Sequence, residues 1–298
     1  MSIPPPICSY EGSDYQTAFW DNADRRYEDA VEEVALRRLL PKNGSFLLEL
    51  GAGAGRNTPR YQGYERIILL DYSRSQLERA RQKLGESDRL AFVAADIYRL
   101  PFVDGLFDGA TMIRTLHHMA DARAALAQVR RVLQPNATFI LEYANKHNLK
   151  SILRYALRRQ SWSPFSPEPL EFAPLNFNFH PATVRSWLRG CQFTIERQLT
   201  VSHFRMNLFK RLVPQRLLVW LDSLAQLTGD AWQLSPSVFV RSRAVGQTPI
   251  AGPDQIFRCP ACSFEPLENT PPEIHCPGCG RSYPVVDGIY DFRLEQPE

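Results

Sequence analysis

Phe46-Leu47-Leu48-Glu49-Leu50-Gly51-Ala52-Gly53-Ala54-Gly55 decides the fold of this 298-residue chain. Phe46 to Leu50 is an apolar run with a single carboxylate, too short for a helix and closed by glycine, as a buried parallel strand is. Gly51, Gly53 and Gly55 then remove three side chains within five residues. Without a Cβ the backbone is free to take positive φ, and a ligand can lie directly against it. Arg56, Asn57 and Thr58 are placed to open a helix whose first amides would point at that ligand.

Phosphate and dinucleotide sites use glycine turns of the same kind, so the turn needs support from elsewhere. Arg56 stands where the dinucleotide fingerprint has its last glycine. Arg66 to Leu70 forms a second apolar strand that ends in Asp71, positioned to accept both hydroxyls of a ribose. A third strand, Leu90 to Ala94, is followed by Asp96, a carboxylate within reach of an adenine amino group. A glycine turn with acids after the second and third strands makes a nucleoside site that has no need of a pyrophosphate.

On these residues the chain resembles the class I S-adenosylmethionine-dependent methyltransferases over roughly 24–245. The motifs that carry the resemblance are Glu49-x-Gly51-x-Gly53-x-Gly55, Asp71, Ala95-Asp96-Ile97, and Phe107-Asp108-Gly109 through His118 on a fourth strand. The resemblance implies an α/β fold, a doubly wound, seven-stranded Rossmann-like methyltransferase sheet, with S-adenosylmethionine as cofactor. It assigns the methionine end to Gly51, Gly53 and Gly55, the ribose to Asp71 and the adenine to Asp96. Glu49, Ala52, Tyr72 and Ile97 complete the expected cofactor-binding set.

Asp24 to Leu40 has helical apolar spacing and follows the aromatic stretch Tyr10, Tyr15, Phe19 and Trp20. Residues 1–45 are thus expected to be a cap over the site or a helix packed on the sheet. Ser73 can cap a helix after Asp71. Strands follow at Phe107 to Ile113, Ala137 to Tyr143, Phe193 to Thr200 and Ser237 to Val245. In a doubly wound sheet the acceptor meets the tips of strands four and five. The residues there include Arg114, His117, His118, Tyr143, Asn145 and Lys146. His117, His118, Tyr143 and Asn145 are the candidate catalytic residues; a histidine suits base work because its ordinary pKa lies near neutrality.

Lys146 opens a segment of different character. Leu149, Ile152, Leu153, Ala156 and Leu157 give one helical face, and Lys146, Lys150, Arg154 and Arg158 another. Residues 146–216 hold twelve Lys or Arg against three Glu, an imbalance hidden in a net charge of +3. Such a stripe suits phosphates on RNA, on lipid head groups or on a small anionic substrate; any single Lys or Arg reads as a solvated charge, and the segment as a whole as functional. The proline- and aromatic-rich run to Pro181 fits a lid inserted at about 146–181 within a 46–245 catalytic domain. Leu217, Leu218, Trp220, Leu221 and Leu224 read as a helix buried in the core, although Lys210 and Arg211 before it also suit a membrane surface.

After a linker at 246–254, residues 255–298 carry Cys259-Pro-Ala-Cys262 and Cys276-Pro-Gly-Cys279. Two such knuckles bring four thiolates to one point, a closed tetrahedral cage for a structural Zn²⁺. The tail Tyr283-Pro-Val-Val-Asp-Gly-Ile289 resembles the zinc-ribbon activator subunit of translation-apparatus methyltransferases, here fused to the catalytic chain. Such a ribbon is expected to brace the enzyme, to contact substrate, or both. Its loss is expected to leave cofactor affinity nearly intact.

The cysteine pattern suits a metal site in a cytoplasmic protein better than a disulfide framework. No signal peptide and no membrane-spanning run is visible. The fourth strand is followed by Ile113-Arg114-Thr115-Leu116-His117-His118, not by the Asn/Asp-Pro-Pro-Tyr of exocyclic-amine methylases. No cysteine stands there for covalent attack on a pyrimidine. The acceptor stays open between RNA and a small anionic or apolar molecule, and between oxygen, ring nitrogen and carbon. A non-catalytic reading also stands: a cofactor-fold module that recruits a partner through its ribbon.

Overall fold

The computed structural model describes residues 5–13, 25–252 and 254–294; the expected aromatic cluster of Tyr15, Phe19 and Trp20 lies outside them. Helix α1 (Arg26–Leu39) leads into β1 (Gly44–Leu50). Then follow β2 (Tyr64–Asp71), α2 (Arg74–Leu84), β3 (Leu90–Ala94), β4 (Phe107–Met112), α3 (Ala122–Val132) and β5 (Leu133–Ala144). Polar side chains set the helix starts, as capping requires: Ser73 Oγ accepts the Gln76 amide at 3.3 Å, and Asp121 Oδ1 the Ala124 amide at 2.9 Å. Beyond β5 come α4 (Leu149–Ala156), a hairpin of β6 (Leu170–Ala173) and β7 (Asn176–Asn178), α5 (Pro181–Gly190) and β8 (Phe193–Val201). Helices α6 (Asn207–Leu212) and α7 (Gln215–Ala225) precede β9 (Ser237–Ala244).

Those strands lie in the order β3-β2-β1-β4-β5-β9-β8. The first five run parallel, while β9 is antiparallel to both β5 and β8. The expected parallel sheet therefore holds only as far as β5, because β9 enters between β5 and β8 from the opposite end. Period-two alternation sorts each strand between two apolar layers. Leu48, Leu50, Ile68 and Leu70 face α3 and α5, while Leu47, Ile67 and Leu69 face α2. Helix α1 packs through Val31, Ala35 and Leu39 with Leu218 of α7.

The sheet does not stop at seven strands. The C-terminal segment adds β10 (Glu273–His275), β11 (Ser282–Val286) and β12 (Ile289–Asp291), and β12 pairs in parallel with β3, Tyr290 opposite Val93. A ten-stranded sheet results. Phe257, Tyr283 and Phe292 join the same apolar cluster as Phe102 and Phe107. A parallel edge strand such as β3 exposes unpaired amides and carbonyls, which β12 satisfies. The ribbon is thus built into the main sheet and is not an appended bead.

Two further expectations change. Helix α7 buries Leu218, but Leu217, Trp220 and Leu224 are exposed, so the helix is not a core element. The four-residue cationic stripe is broken up. Lys146 precedes α4 and is buried with its Nζ on the Glu168 carbonyl, and Arg158 follows α4 in the left-handed region at φ 55°. Only Lys150 and Arg154 sit on α4 itself. No helix among the described residues is long and apolar enough to cross a membrane.

Candidate functional site

The tips of β1, β2, β3 and β4 enclose a cleft of about 980 Å³, open mouth included. Its floor is the glycine turn. Gly51 sits at φ 66°, and a Cβ there would lie 2.1 Å from Thr115 Oγ1, so both the turn and the close approach demand glycine. Gly53, at φ 53°, has nothing within 4 Å of where its Cβ would stand, which leaves the turn's backbone bare toward the cleft. The expected helix after the turn does not form. Only a 3₁₀ turn, Thr58–Arg60, fits before β2 begins at Tyr64.

Asp71 ends β2 on the cleft wall. Its Oδ2 accepts the Gly53 amide at 2.8 Å and its Oδ1 the Ser73 amide at 2.9 Å. Burial pushes this carboxyl up, against the pull of those two amides. Each oxygen keeps a lone pair for a further donor. Asp96, after β3, holds the Tyr98 amide at 2.8 Å through Oδ1, and its other oxygen has no hydrogen bond to the described residues. Tyr72 and Ile97 line the cleft between these two acids, and Ala52 completes the turn.

Two expected cofactor residues lie outside the cleft lining. Glu49 is buried beneath the turn, accepts from Thr58 Oγ1 at 2.6 Å, and is pushed up to about 7 by burial. Gly55 faces α2, where a Cβ would meet Leu84 at 2.7 Å. Both shape the turn from behind.

The N-terminal segment closes the cleft from above with Ile7, Cys8 and Tyr10. Glu11 fastens this segment by accepting the Arg74 and Ser75 amides at 2.9 and 3.0 Å, the free amides of the first turn of α2. Helix α1 is fastened by charge. Arg56 and Arg114 both line the cleft and both grip Glu32, Arg56 at 2.8 Å and Arg114 Nε at 2.7 Å. Burial pushes Glu32 up, but the two guanidiniums beside it win and hold it low. This clamp was not foreseen: Glu32 reads as one polar residue on a helix, and its partners are 24 and 82 residues away.

On the acceptor side the four catalytic candidates separate. His118 lines the cleft, with Nδ1 3.2 Å from the Leu175 carbonyl and Nε2 3.2 Å from Tyr10 Oη. A carbonyl can only accept, so Nδ1 carries the proton and Nε2 offers its lone pair. Burial lowers the His118 pKa, opposed by that carbonyl, and keeps the ring neutral near pH 7. His117 packs behind it, ring centroids 4.0 Å apart, and burial drives it further down. Tyr143 is fully buried in the core. Asn145 is structural, donating to the Gln233 and Ser235 carbonyls at 2.9 and 2.8 Å. Leu175 is the turn residue of the β6–β7 hairpin, so the inserted segment touches the cleft through its main chain.

In the ribbon, the Sγ atoms of Cys259, Cys262, Cys276 and Cys279 all lie within 4.8 Å of one another. The Cys262–Cys276 and Cys259–Cys279 separations are 3.5 and 3.7 Å. A tetrahedral Zn–S₄ centre with bonds of about 2.3 Å has edges of roughly 3.8 Å, so the donor set fits zinc. Tyr283 Oη lies 3.1 Å from Cys259 Sγ, placed to donate to a thiolate.

Comparison with known proteins agrees with this geometry. Residues 48–141 match the family described as methyltransferase domain. An O-methyltransferase of Penicillium expansum is 32% identical over 142 residues, 44% of this chain and 51% of that protein. The 27-O-demethylrifamycin SV methyltransferase of Amycolatopsis mediterranei is 30% identical over 138 residues, 44% and 51% respectively. The chain thus spans about half the length of these curated relatives. Among solved structures, a chain from the complex of the Haloferax volcanii Trm112 methyltransferase activator with a methyltransferase superposes with a TM-score of 0.56 and 16% identity, over 82% of this chain and 100% of that one. An S-adenosylmethionine-dependent methyltransferase from Mesorhizobium loti gives 0.54 and 20%, over 73% and 99%. Residues 48–141 thus match a methyltransferase domain, and the chain shares the fold of S-adenosylmethionine-dependent methyltransferases.

Proposed function

We propose that this chain transfers a methyl group from S-adenosylmethionine to a compact acceptor that presents a hydroxyl, with His118 as general base. The observation that carries the reading is the convergence of the bare glycine turn, Asp71, Asp96 and His118 on one cleft. Asp71 accepts from the ribose hydroxyls, and the spare Asp96 oxygen from the adenine amino group. The cofactor supplies a methyl carbon made electrophilic by a sulfonium. The acceptor hydroxyl takes the place of Tyr10 Oη at His118 Nε2, which then receives the acceptor proton, and the Leu175 carbonyl holds the ring in the tautomer that allows it. The N-terminal segment and the β6–β7 hairpin exclude water and align the acceptor. Oxygen is favoured over other acceptor atoms because two of the relatives that match the domain are named for O-methylation.

The four cysteines are proposed to bind one Zn²⁺ that holds the ribbon together, with no part in the reaction. Titration calorimetry tests the cofactor assignment. Asp71→Ala should weaken S-adenosylmethionine binding by about 1–3 kcal/mol, through unpaired ribose hydroxyls. Unchanged affinity would remove Asp71 from the site.

A further inference from the structure

Fourteen of the eighteen large apolar side chains exposed among the described residues come from residues 149–232. They are not scattered, as single exposed leucines on a soluble surface are. Leu149 and Leu153 on α4 and Leu157 just past its end recur every fourth residue, with Leu153 52% exposed. Leu217, Trp220 and Leu224 form the outer stripe of α7, with Trp220 56% exposed, while Leu218 and Asp222 face inward. Both helices belong to one end of the molecule. Helix α4 follows the carboxyl end of β5, and α6 and α7 follow that of β8, which runs parallel to β5. The Leu149 amide donates to the Leu234 carbonyl at 2.9 Å and ties the start of α4 to the segment that continues α7. This is the end at which the cleft opens.

Charge accompanies the leucines. Lys150, Arg154, Arg158, Arg159, Arg211 and Arg216 are all exposed, and none has an ion-pair partner among the described residues. Carboxylates are scarce: residues 146–216 contain only three, and Glu196 is already taken by Arg241 and Arg243. Leucine stripes with a tryptophan, bordered by unpaired cations on short surface helices, have the chemistry of an interfacial anchor. The apolar side chains enter the acyl boundary and the cations meet anionic headgroups. Single-stranded nucleic acid would instead need aromatic platforms between the cations; six of the fourteen exposed side chains are aromatic, but the two helical stripes themselves are five leucines and one tryptophan.

We infer that α4 and α7, with α6 between α7 and β8, form a surface that docks reversibly on an anionic lipid bilayer and turns the mouth of the cleft toward it. The surface is separate from the methyl-transfer groups, so docking needs no cofactor and stands or falls apart from the proposed activity.

Vesicle co-sedimentation of the full chain decides the question, with palmitoyl-oleoyl phosphatidylcholine alone and with a 3:1 mixture with the corresponding phosphatidylglycerol. The mixed vesicles should bind the protein at low salt at least tenfold more tightly than the neutral ones, with release at high salt and a blue shift of tryptophan emission on binding. Trp220→Ser with Leu224→Ser should weaken binding at least tenfold. Lys150→Gln with Arg154→Gln should weaken it by about thirtyfold on anionic vesicles, at about 1 kcal/mol per cation, and hardly at all on neutral ones. All four positions are exposed, so melting should match wild type, and the salt dependence of the wild-type protein decides even where a variant misfolds. No partition onto either vesicle overturns the inference. It is equally overturned by RNA binding that the cation changes weaken and the apolar changes leave intact, or by a dimer that the apolar changes dissolve without any affinity for vesicles.

Discussion

The two walls of the cleft are made by different means. On the cofactor wall, main chain holds both acids, Gly53 and Ser73 amides on Asp71 and the Tyr98 amide on Asp96, and the glycine turn leans on the Thr115 side chain. On the acceptor wall the proposed base is a histidine held by a tyrosine 108 residues earlier and a carbonyl 57 residues later. A wall built from backbone is local and the same for any acceptor. A wall built from distant side chains is free to differ with each acceptor. That asymmetry is why the cofactor is assigned with detail and the acceptor only by class.

It also accounts for what was legible in the sequence. Gly51, Gly53, Asp71 and Asp96 stand within 46 residues, each at the end of a strand whose apolar run is plain, and the structure brings all four to the cleft. Tyr143 and Asn145 are also at a strand tip, yet one is core and the other pins the 233–235 loop, because position along a strand does not say which way a side chain points. The Glu32 clamp and the Tyr10–His118 contact have no local signature. The leucines of α7 misled for another reason: apolar spacing reports that a face avoids water, without saying whether protein or lipid covers it.

Removing the zinc proposed for the ribbon should have the largest effect. Structural zinc sites contribute about 10–16 kcal/mol in small domains near pH 7, and here the loss would also strip β12 from the edge of β3. Arg293, just after β12, donates to Glu11 at 2.9 Å and lies over the Tyr72 ring at 5.9 Å, so the ribbon reaches both the cap segment and the cleft wall. The integrated sheet revises the expectation that cofactor affinity survives. Cys276→Ser or chelation should lower the melting temperature and weaken S-adenosylmethionine binding together, checked by calorimetry and elemental analysis. Intact cofactor affinity in a metal-free protein would show the two regions to be independent after all.

His118→Asn comes next and addresses the acceptor wall alone. It should lower kcat about 100- to 10,000-fold, the range of a lost general base, while leaving cofactor affinity within about twofold. The base works only when neutral. With its pKa lowered by burial, the wild-type rate should be level above pH 6.5 and fall as acid passes through the depressed value. In the variant that acid limb should vanish. A limb above the ordinary histidine range, or one that survives in the variant, would move the base elsewhere.

Gly51→Ala tests the cofactor wall at its tightest point. The left-handed backbone costs about 1–2 kcal/mol for a residue with a Cβ, and the 2.1 Å approach to Thr115 Oγ1 adds about 1–3 kcal/mol of overpacking. Cofactor binding and thermal stability should both fall. Thr115→Ser with Gly51→Ala keeps the hydroxyl that meets the new methyl and so should relieve little, whereas Thr115→Gly should restore part of the loss. Full tolerance of alanine would mean that the turn has other conformations open to it.

The smallest effect belongs to the exposed cations of α4, and its smallness is the point. Lys150 and Arg154 lie on a helix whose outer leucines are about half exposed, and neither cation has a carboxylate partner among the described residues. Glutamine has nearly the helix propensity of lysine and arginine, so replacing both changes charge and little else. Unpaired surface charges contribute at most a few tenths of a kcal/mol to folding, and here their mutual repulsion is removed as well. The double variant should therefore melt within about 2 °C of wild type, bind S-adenosylmethionine equally well and turn over a freely soluble acceptor at the same rate. Differential scanning calorimetry and a soluble-acceptor assay would check this. A loss of several degrees would mean that these cations hold the fold. The helix after β5 would then be as tightly built as the cofactor wall, and the contrast between the two regions would fail.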